Sequence, residues 1–115
     1  MKEACIFCQI ADSKIPAQVE YQDPEVVAFH DIHPQAPVHI QIIPRQHIAR
    51  VSDLNPQNIS IMGKLILRAN QLAQALKIAE DGFRLVVNCN AGAGQSVYHL
   101  HLHLLGGRPM RWPPG

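Results

Sequence analysis

The residues with the clearest chemical potential lie near the C-terminus, where His99, His101 and His103 alternate with leucines. A hydrophobic period of two is typical of a β-strand and not of a helix. The pattern therefore predicts a strand with its three histidines on one face and its leucines on the other. Imidazoles at alternate positions of a strand lie roughly 6.5–7 Å apart, close enough to surround one ligand group.

Two kinds of chemistry can use such a row of histidines. Neutral imidazoles are common metal ligands, and an imidazole can also act as a nucleophile while its neighbour binds or protonates the group attacked. The segment 88–96, Asn-Cys-Asn-Ala-Gly-Ala-Gly-Gln-Ser, favours the second kind, because glycines let backbone amides approach an anion. Its Gly-x-Gly leads into a strand and not into a helix, so it is not a dinucleotide-binding fingerprint.

The elements that must position these residues can be predicted from periodicity and from turn residues. Residues 5–12 form a short helix, 19–22 and 26–32 a hairpin, 38–44 a third strand and 83–88 a fourth. On the third strand His39, Gln41 and Ile43 share a face, so His39 would face the histidine row if both strands lie in one sheet.

A long helix is predicted from Asn55-Pro56, as N-cap and first position, to about Lys77. Its core-facing stripe is predicted to contain Ile59, Met62, Ile66, Ala69, Ala73 and Leu76. Leu65, Leu72 and Ala79 broaden this stripe beyond what one sheet face needs, which indicates a helix–helix contact between subunits.

Cys5-x-x-Cys8 permits three interpretations. A redox motif needs a βαβ context that is missing here, and a zinc site needs two further ligands, which His47 and His99 could supply. The third interpretation is that both cysteines are small apolar residues on a buried helical face.

Composition limits the remaining choices. A chain of 115 residues with a net charge of +1 predicts a single domain, 1–115, without a nucleic-acid or membrane partner. No apolar run is long enough to span a membrane, no signal peptide is present, and three cysteines argue against a disulfide framework. We therefore expect a reducing, cytoplasmic location, and a Pro/Gly-rich extended tail at 106–115.

Four motifs together resemble the histidine triad (HIT) superfamily, and in particular its HINT branch of purine nucleoside phosphoramidases. They are His99-Leu-His-Leu-His-Leu-Leu105, Gln95-Ser-Val-Tyr98, Gly106-Gly-Arg-Pro109 and Trp112-Pro-Pro-Gly115. The similarity runs from about Cys5 to the C-terminus. It implies an α+β, HIT-like fold: an antiparallel sheet of about five strands, one long helix and a short N-terminal helix.

The resemblance also implies an activity, the hydrolysis of the P–N bond of purine nucleoside 5′-phosphoramidates. His101 would attack the α-phosphorus, and water would then hydrolyse the nucleotidyl-histidine. The other catalytic residues implied are His103, Ser96, His39 and His99. Asp31 would accept both ribose hydroxyls, in keeping with the two acceptor oxygens of a carboxylate.

The remaining implied contacts fall into three groups. The base pocket would consist of Ile6, Phe7, Ile10, Phe29, His30 and Ile32. The phosphate and leaving-group side would consist of Asn88, Gly94, Gln95, Ser96, His101 and His103. Trp112 would come from the tail of the partner subunit in a homodimer, near the leaving group.

The metal is a separate question. Superfamily members with this cysteine pair tend to carry structural zinc, on residues that match Cys5, Cys8, His47 and His99, whereas the HINT branch commonly lacks the cysteines. No cofactor is expected to be required for catalysis, and the expected ligand is a purine nucleotide of the AMP or GMP type.

Two other functions compete with the hydrolase. One is a metalloenzyme or metal-binding protein with all three histidines of the row on one ion, although alternate residues of a straight strand spread too far for that. The other is a nucleotide-binding regulator without turnover.

Overall fold

The computed structural model describes residues 4–115 of the chain. In chain order the helices and strands are α1 (Ile6–Ala11), β1 (Val19–Gln22), β2 (Val26–His30), β3 (Val38–Pro44), α2 (Ser60–Ala75), β4 (Phe83–Val86) and β5 (Leu102–Gly106). All seven were predicted from the sequence, with β2 and β4 each two residues shorter than expected. Within the described residues, no helix is both long and apolar enough to cross a membrane.

The five strands form one antiparallel sheet in the order β1-β2-β3-β5-β4. The chain passes through α2 between β3 and β4, and β4 forms the edge of the sheet. The last strand, β5, lies between β3 and β4. The register of the β3–β5 pair sets Gln41 opposite His103. The condition under which His39 would face the histidine row, that the two strands lie in one sheet, is therefore met for His103.

The sheet separates two apolar layers. The larger layer packs beneath α2 and includes Ile40, Ile42, Leu100, Leu102 and Leu104, all at most 2% exposed. The smaller layer lies on the other face, beneath α1. Each large side chain buried in this way stabilises the fold by roughly 1.5–3 kcal/mol. The leucines that alternate with the histidines thus anchor the last strand to the main core, while the histidines belong to the α1 side.

The buried face of α2 differs from the predicted one. The residues that pack on the sheet are Ile61, Leu65, Ala69, Leu72 and Ala73. Ile59 and Ile66, predicted for the core, are 53% and 40% exposed. The proposed extra stripe at Leu65 and Leu72 is therefore core, and the outer apolar residues are Ile59, Ile66 and Leu67.

The helix α2 begins later than predicted, at Ser60. Asn55 caps the preceding turn instead: its Oδ1 accepts from the backbone N–H of Gln57 and Asn58 at 2.9 and 3.1 Å. At the other end Lys77 adopts a left-handed backbone with φ 63°, which stops the helix close to the predicted position.

The prediction that all three histidines of the row lie in one strand is wrong, because β5 begins only at Leu102. The Leu100 amide donates to the Ile48 carbonyl, and the His99 carbonyl accepts from an imidazole, so neither group enters the strand ladder. The side chains still alternate between the two sides, but of the three histidines in the row only His103 lies in a strand.

Candidate active site

His101 is held in one tautomer at the edge of the sheet. Its Nδ1 lies 2.7 Å from the His99 carbonyl oxygen, which can only accept, so Nδ1 carries the proton and Nε2 keeps its lone pair. This hydrogen bond anchors the ring to the backbone. The Phe7 ring packs edge-on against it at a centroid distance of 5.2 Å, and the residue is 6% exposed. Nε2 is thus a fixed, nearly dry nucleophile candidate.

His39 and His103 form a directional hydrogen-bond chain beside it. The Gln35 backbone N–H donates to His39 Nδ1 at 3.0 Å, which leaves the proton of a neutral ring on Nε2. This Nε2–H donates to His103 Nδ1 at 2.9 Å. The neutral His103 ring therefore carries its proton on Nε2, and its centroid lies 4.9 Å from that of His101. An N–H donor consequently stands next to the nucleophile candidate.

The imidazoles of His39, His99, His101 and the partly buried His103 are all neutral near pH 7. Burial is the main cause in each case, because it penalises the charged form. It lowers the pKa of His99 and of His103 to about 4, with smaller contributions from neighbouring histidines. Burial also lowers the pKa of His101 and of His39, against a partial rise caused by a hydrogen bond to the His99 carbonyl and by Asp31 respectively.

Asp31 lies next to the hydrogen-bonded pair His39–His103. Its Oδ1 accepts from the His33 backbone N–H and its Oδ2 from Gln41 Nε2, both at 2.7 Å. His39 Nε2 is 3.5 Å from Oδ2. The sequence placed Gln41 on the face of His39 but assigned it no role. Only the fold shows that its amide reaches the Asp31 carboxylate.

The glycine loop does not offer the amides that the sequence suggested. The N–H groups of Gly94 and Gln95 donate to the carbonyls of Ala91 and Asn90, and Gly94 takes the left-handed backbone that closes this turn. The buried Gln95 side chain further ties the loop together through Asn90, Ala49 and Val97. These two amides are therefore structural and are not free to bind phosphate.

Ser96 follows this turn and is the better phosphate candidate. Its side chain is exposed, and among residues 4–115 neither its hydroxyl nor its amide makes a hydrogen bond. Asn88, at the start of the loop, is partly buried. In this loop the Ser96 hydroxyl and amide are therefore available to a ligand, whereas the amides of Gly94 and Gln95 are already hydrogen-bonded.

The residues expected to enclose a base are only partly brought together. Phe7 and Phe29 pack edge-to-face at 5.2 Å in the smaller core, with Ile10 at its margin. Ile6 and Ile32 are 48% and 85% exposed, so both side chains are accessible to a ligand.

His30 behaves differently from the rest of the expected base pocket. Its Nε2 is paired with Glu20 Oε1 at 2.8 Å, and strand alternation directs it to the face opposite Phe29. Its imidazole is therefore not part of the histidine cluster.

The two cysteines meet the two predicted histidines at one point. Cys5 Sγ is 3.3 Å from His99 Nδ1, and Cys8 Sγ is 3.3 Å from His47 Nδ1 and 3.4 Å from His99 Nδ1. The four ligand atoms all lie within 4.8 Å of one another. His99 Nε2 is 2.7 Å from the Pro44 carbonyl, so this nitrogen is the protonated one and Nδ1 faces the sulfurs with its lone pair. Two thiols and two imidazole lone pairs fit zinc.

His99 therefore serves two neighbouring sites. Its imidazole is fully buried against the cysteines, so it does not face a substrate, while its carbonyl anchors His101. A metal on all three histidines of the row is not supported. Within the described part of the chain, the groups able to hold an ion are the cysteine cluster and Asp31 with His39 and His103.

Comparison with known proteins identifies the family. The model of the HIT domain matches residues 12–110. The chain belongs to the HIT family. It is 48% identical over 110 residues to the purine nucleoside phosphoramidase of Escherichia coli, with 96% of this chain and 92% of that protein covered.

Solved structures agree with this assignment. A HIT family hydrolase from Legionella pneumophila superimposes with a TM-score of 0.95 at 53% identity, covering 96% of this chain and 99% of the other. A zinc-bound histidine triad family protein from Mycobacterium smegmatis gives a TM-score of 0.79 at 29% identity, covering 94% and 78%. The predicted HIT resemblance and the predicted α+β fold are thus confirmed.

The tail of this HIT domain exposes its only tryptophan. Trp112 is 83% exposed. The tail is held along the molecule by Arg84, which donates to the Arg111 carbonyl at 2.8 Å, and by Arg108, which donates to the Gln35 carbonyl. The structure therefore leaves the indole accessible on an anchored segment.

Proposed function

We propose that this protein hydrolyses the P–N bond of purine nucleoside 5′-phosphoramidates through a nucleotidyl-histidine intermediate. One observation carries the proposal: the neutral His101 ring has its Nδ1 proton bound to the His99 carbonyl and its Nε2 lone pair available. Such a ring is a competent nucleophile, and a phosphorylated imidazole is a good leaving group for water. The name and the full-length similarity of the Escherichia coli relative support the same reaction.

In the first step His101 Nε2 attacks the α-phosphorus and the P–N bond breaks. The departing nitrogen takes up a proton from water and leaves as the amine, and the exposed Ser96 hydroxyl is the candidate group to relay that proton. The Nε2–H of His103 is directed to a phosphoryl oxygen, where negative charge builds up in the transition state. The Gln35–His39–His103 chain keeps this proton on the correct nitrogen.

In the second step water attacks the phosphorus of the nucleotidyl-histidine. The P–N bond to His101 breaks, its Nε2 regains the lone pair, and the nucleoside monophosphate leaves as water loses a proton. The His99 carbonyl holds the ring in place throughout, because Nδ1 stays protonated.

The substrate we propose is a purine nucleotide whose ribose hydroxyls bind Asp31. The exposed apolar side chains of Ile6 and Ile32, with Phe29 at the base, would cover the purine by shape and stacking. Such a pocket has few polar anchors, so it accepts adenine and guanine alike.

The test is turnover of adenosine 5′-phosphoramidate by the wild type and by His101→Ala. The variant should lose hydrolysis by a factor of 10³ or more, on the order expected for loss of a covalent nucleophile. It should still bind adenosine 5′-monophosphate, because the Asp31 contacts remain. Rapid-quench mass spectrometry should find a nucleotidyl adduct on His101. Full activity in the variant, or nucleotide binding without turnover in the wild type, would refute the proposed reaction.

We also propose a structural zinc on Cys5, Cys8, His47 and His99. Four donors at mutual distances of 4.8 Å or less support it, as does the similarity to the zinc-bound histidine triad family protein from Mycobacterium smegmatis. When bound, the ion would supply cross-linking of α1 to the segments around His47 and His99. It would not touch the substrate.

Finally, we propose a homodimer. The support is a set of outer apolar side chains on α2, together with the exposed Trp112 on its anchored tail. A two-fold contact between α2 helices lets each patch cover its own copy. The tail would then bring its indole to the leaving-group side of the partner's site.

A further inference from the structure

The side-chain amide of Gln41 has one hydrogen bond to the candidate site and one atom without a partner. Its Nε2 donates to Asp31 Oδ2 at 2.7 Å. Its Oε1 is buried and, among the described residues, has no hydrogen-bond partner. A buried carbonyl oxygen without a donor is a cost to stability, so the presence of an amide here calls for an explanation.

The position itself would accept an apolar residue. Gln41 lies between Ile40 and Ile42 on β3, on the face shared with Ile43 and opposite His103. An apolar side chain here would remove the unpaired oxygen and keep the strand pairing, so sheet packing does not explain the amide. The contact with Asp31 does.

That contact fixes the acceptor geometry of the carboxylate. The His33 amide, in the loop after β2, holds Oδ1, and Gln41, on the rigid strand β3, holds Oδ2. A carboxylate has about four acceptor positions, so two remain, one on each oxygen. Two neighbouring acceptors in a fixed plane match the two adjacent hydroxyls of a ribose.

We propose that Gln41 is a positioning residue that sets the selectivity of the site for ribonucleotides, by locking the Asp31 carboxylate to receive the 2′- and 3′-hydroxyls. This inference rests on the proposed function, because it assumes that Asp31 binds the sugar. It assigns the sugar preference to the residue pair Asp31–Gln41 and not to Asp31 alone.

The experiment measures binding of adenosine 5′-monophosphate and of its 2′,3′-dideoxy analogue by calorimetry. The wild type should prefer the ribonucleotide by roughly tenfold or more, as expected for hydrogen bonds to a charged acceptor. Gln41→Met, an unbranched side chain of similar length, should lose most of that preference, because ribonucleotide binding weakens while dideoxynucleotide binding stays constant. Gln41→Leu is the second variant if the first does not fold.

Two comparisons make the result specific. Gln74→Met, at an exposed position of α2, is the matched substitution and should keep the wild-type preference. Adding Gln41→Met to Asp31→Asn should cause no further loss, since the two residues act as one unit.

An unchanged preference in both Gln41 variants would overturn the inference. So would equal weakening of both nucleotides, because that is what a merely structural role predicts. Hydrolysis of adenosine 5′-phosphoramidate is measured separately. Turnover by the wild type with an unchanged sugar preference in the variants refutes only the role of Gln41, whereas binding without turnover refutes only the hydrolase.

Discussion

At the scale of single residues, the site depends on which nitrogen of each imidazole carries the proton. His101 and His99 each donate from one nitrogen to a backbone carbonyl, and His39 receives a backbone N–H. A backbone carbonyl can only accept and a backbone N–H can only donate, so these contacts fix the tautomer of each of the three imidazoles. Burial then keeps the rings neutral by lowering their pKa values. The same residues that make a nucleophile thus make the site sensitive to acid.

His103 gives a prediction for stability against pH. Its pKa is lowered to about 4 in the folded protein, from about 6.5 in an unfolded chain. The unfolded state therefore binds more protons between these values. The contribution of His103 to stability is fully present above pH 6.5 and is lost as the pH falls towards 4.

His103→Gln keeps an acceptor for His39 but cannot take up a proton. Between pH 6 and 4.5 the free energy of unfolding should fall less steeply in this variant, by about one proton or roughly 1.4 kcal/mol per pH unit. Urea titrations at several pH values measure the slope, with both proteins in the same metal-loading state. His33→Gln, which removes an exposed histidine, is the control. An identical slope in His103→Gln and the wild type would contradict the prediction.

At the scale of elements, α1 is too short to be stable by itself. It has six residues, of which Phe7, Cys8 and Ala11 are buried. Isolated helices of this length do not persist in water, so tertiary contacts must hold it. The smaller core supplies part of that support, and the proposed zinc site supplies a cross-link to chain segments that are distant in sequence.

We therefore predict about one zinc ion per purified chain, measured by inductively coupled plasma mass spectrometry. Cys8→Ala should lose the metal and lower the melting temperature, since a ligand that binds only the folded state contributes about 3–4 kcal/mol at 100–1,000 times its Kd. Cys89→Ala, which changes the cysteine outside the cluster, should retain the zinc. Turnover should not require it. If metal-free protein kept its full thermal stability, the zinc site would be refuted and the two cysteines would be ordinary core residues.

At the scale of the whole molecule, several large apolar side chains are exposed on α2 and on the tail. Ile59 and Leu67 on α2 are 53% and 58% exposed, and Trp112 is 83% exposed on a tail that Arg84 and Arg108 hold in place. Exposed apolar side chains that form a contiguous patch mark interaction sites. The proposed dimer covers them.

Deleting residues 108–115 should change the preference among amine leaving groups more than it changes the affinity for adenosine 5′-monophosphate. The reason is that the Asp31 and His101 contacts stay, while the partner's Trp112 is removed from the leaving-group side. Turnover of a series of phosphoramidates with different amines measures the preference. An unchanged ranking of these substrates would refute the role of the tail.

The oligomeric state needs its own measurement. Light scattering should find a dimer for the wild type and a monomer for Leu67→Glu, which puts a charge into the proposed contact. Gln18→Glu, at an exposed polar position outside α2, is the control and should remain a dimer. A monomeric wild type would refute the dimer itself.

The sequence by itself determined what depends on local geometry. Strand alternation placed the leucines of the last segment in the core and the histidines on the opposite side, because the period of two is a property of the extended backbone. The turn residues Asp23 and Pro24 delimited the β1–β2 hairpin, because turn preferences are also local properties of the chain. The family motifs then indicated the chemistry, and they pointed to Cys5, Cys8, His47 and His99 as one group.

Only the tertiary structure decided what depends on distant partners. Periodicity assigned Ile59 and Ile66 on α2 to the core, but the position of the sheet selected Leu65 and Leu72 instead. The amides of Gly94 and Gln95 were plausible phosphate donors until the loop closed on its own carbonyls. The contact between Gln41 and Asp31 joins a strand to a preceding loop, ten residues apart along the chain. No local pattern encodes such a contact, because it exists only after β2 and β3 have paired.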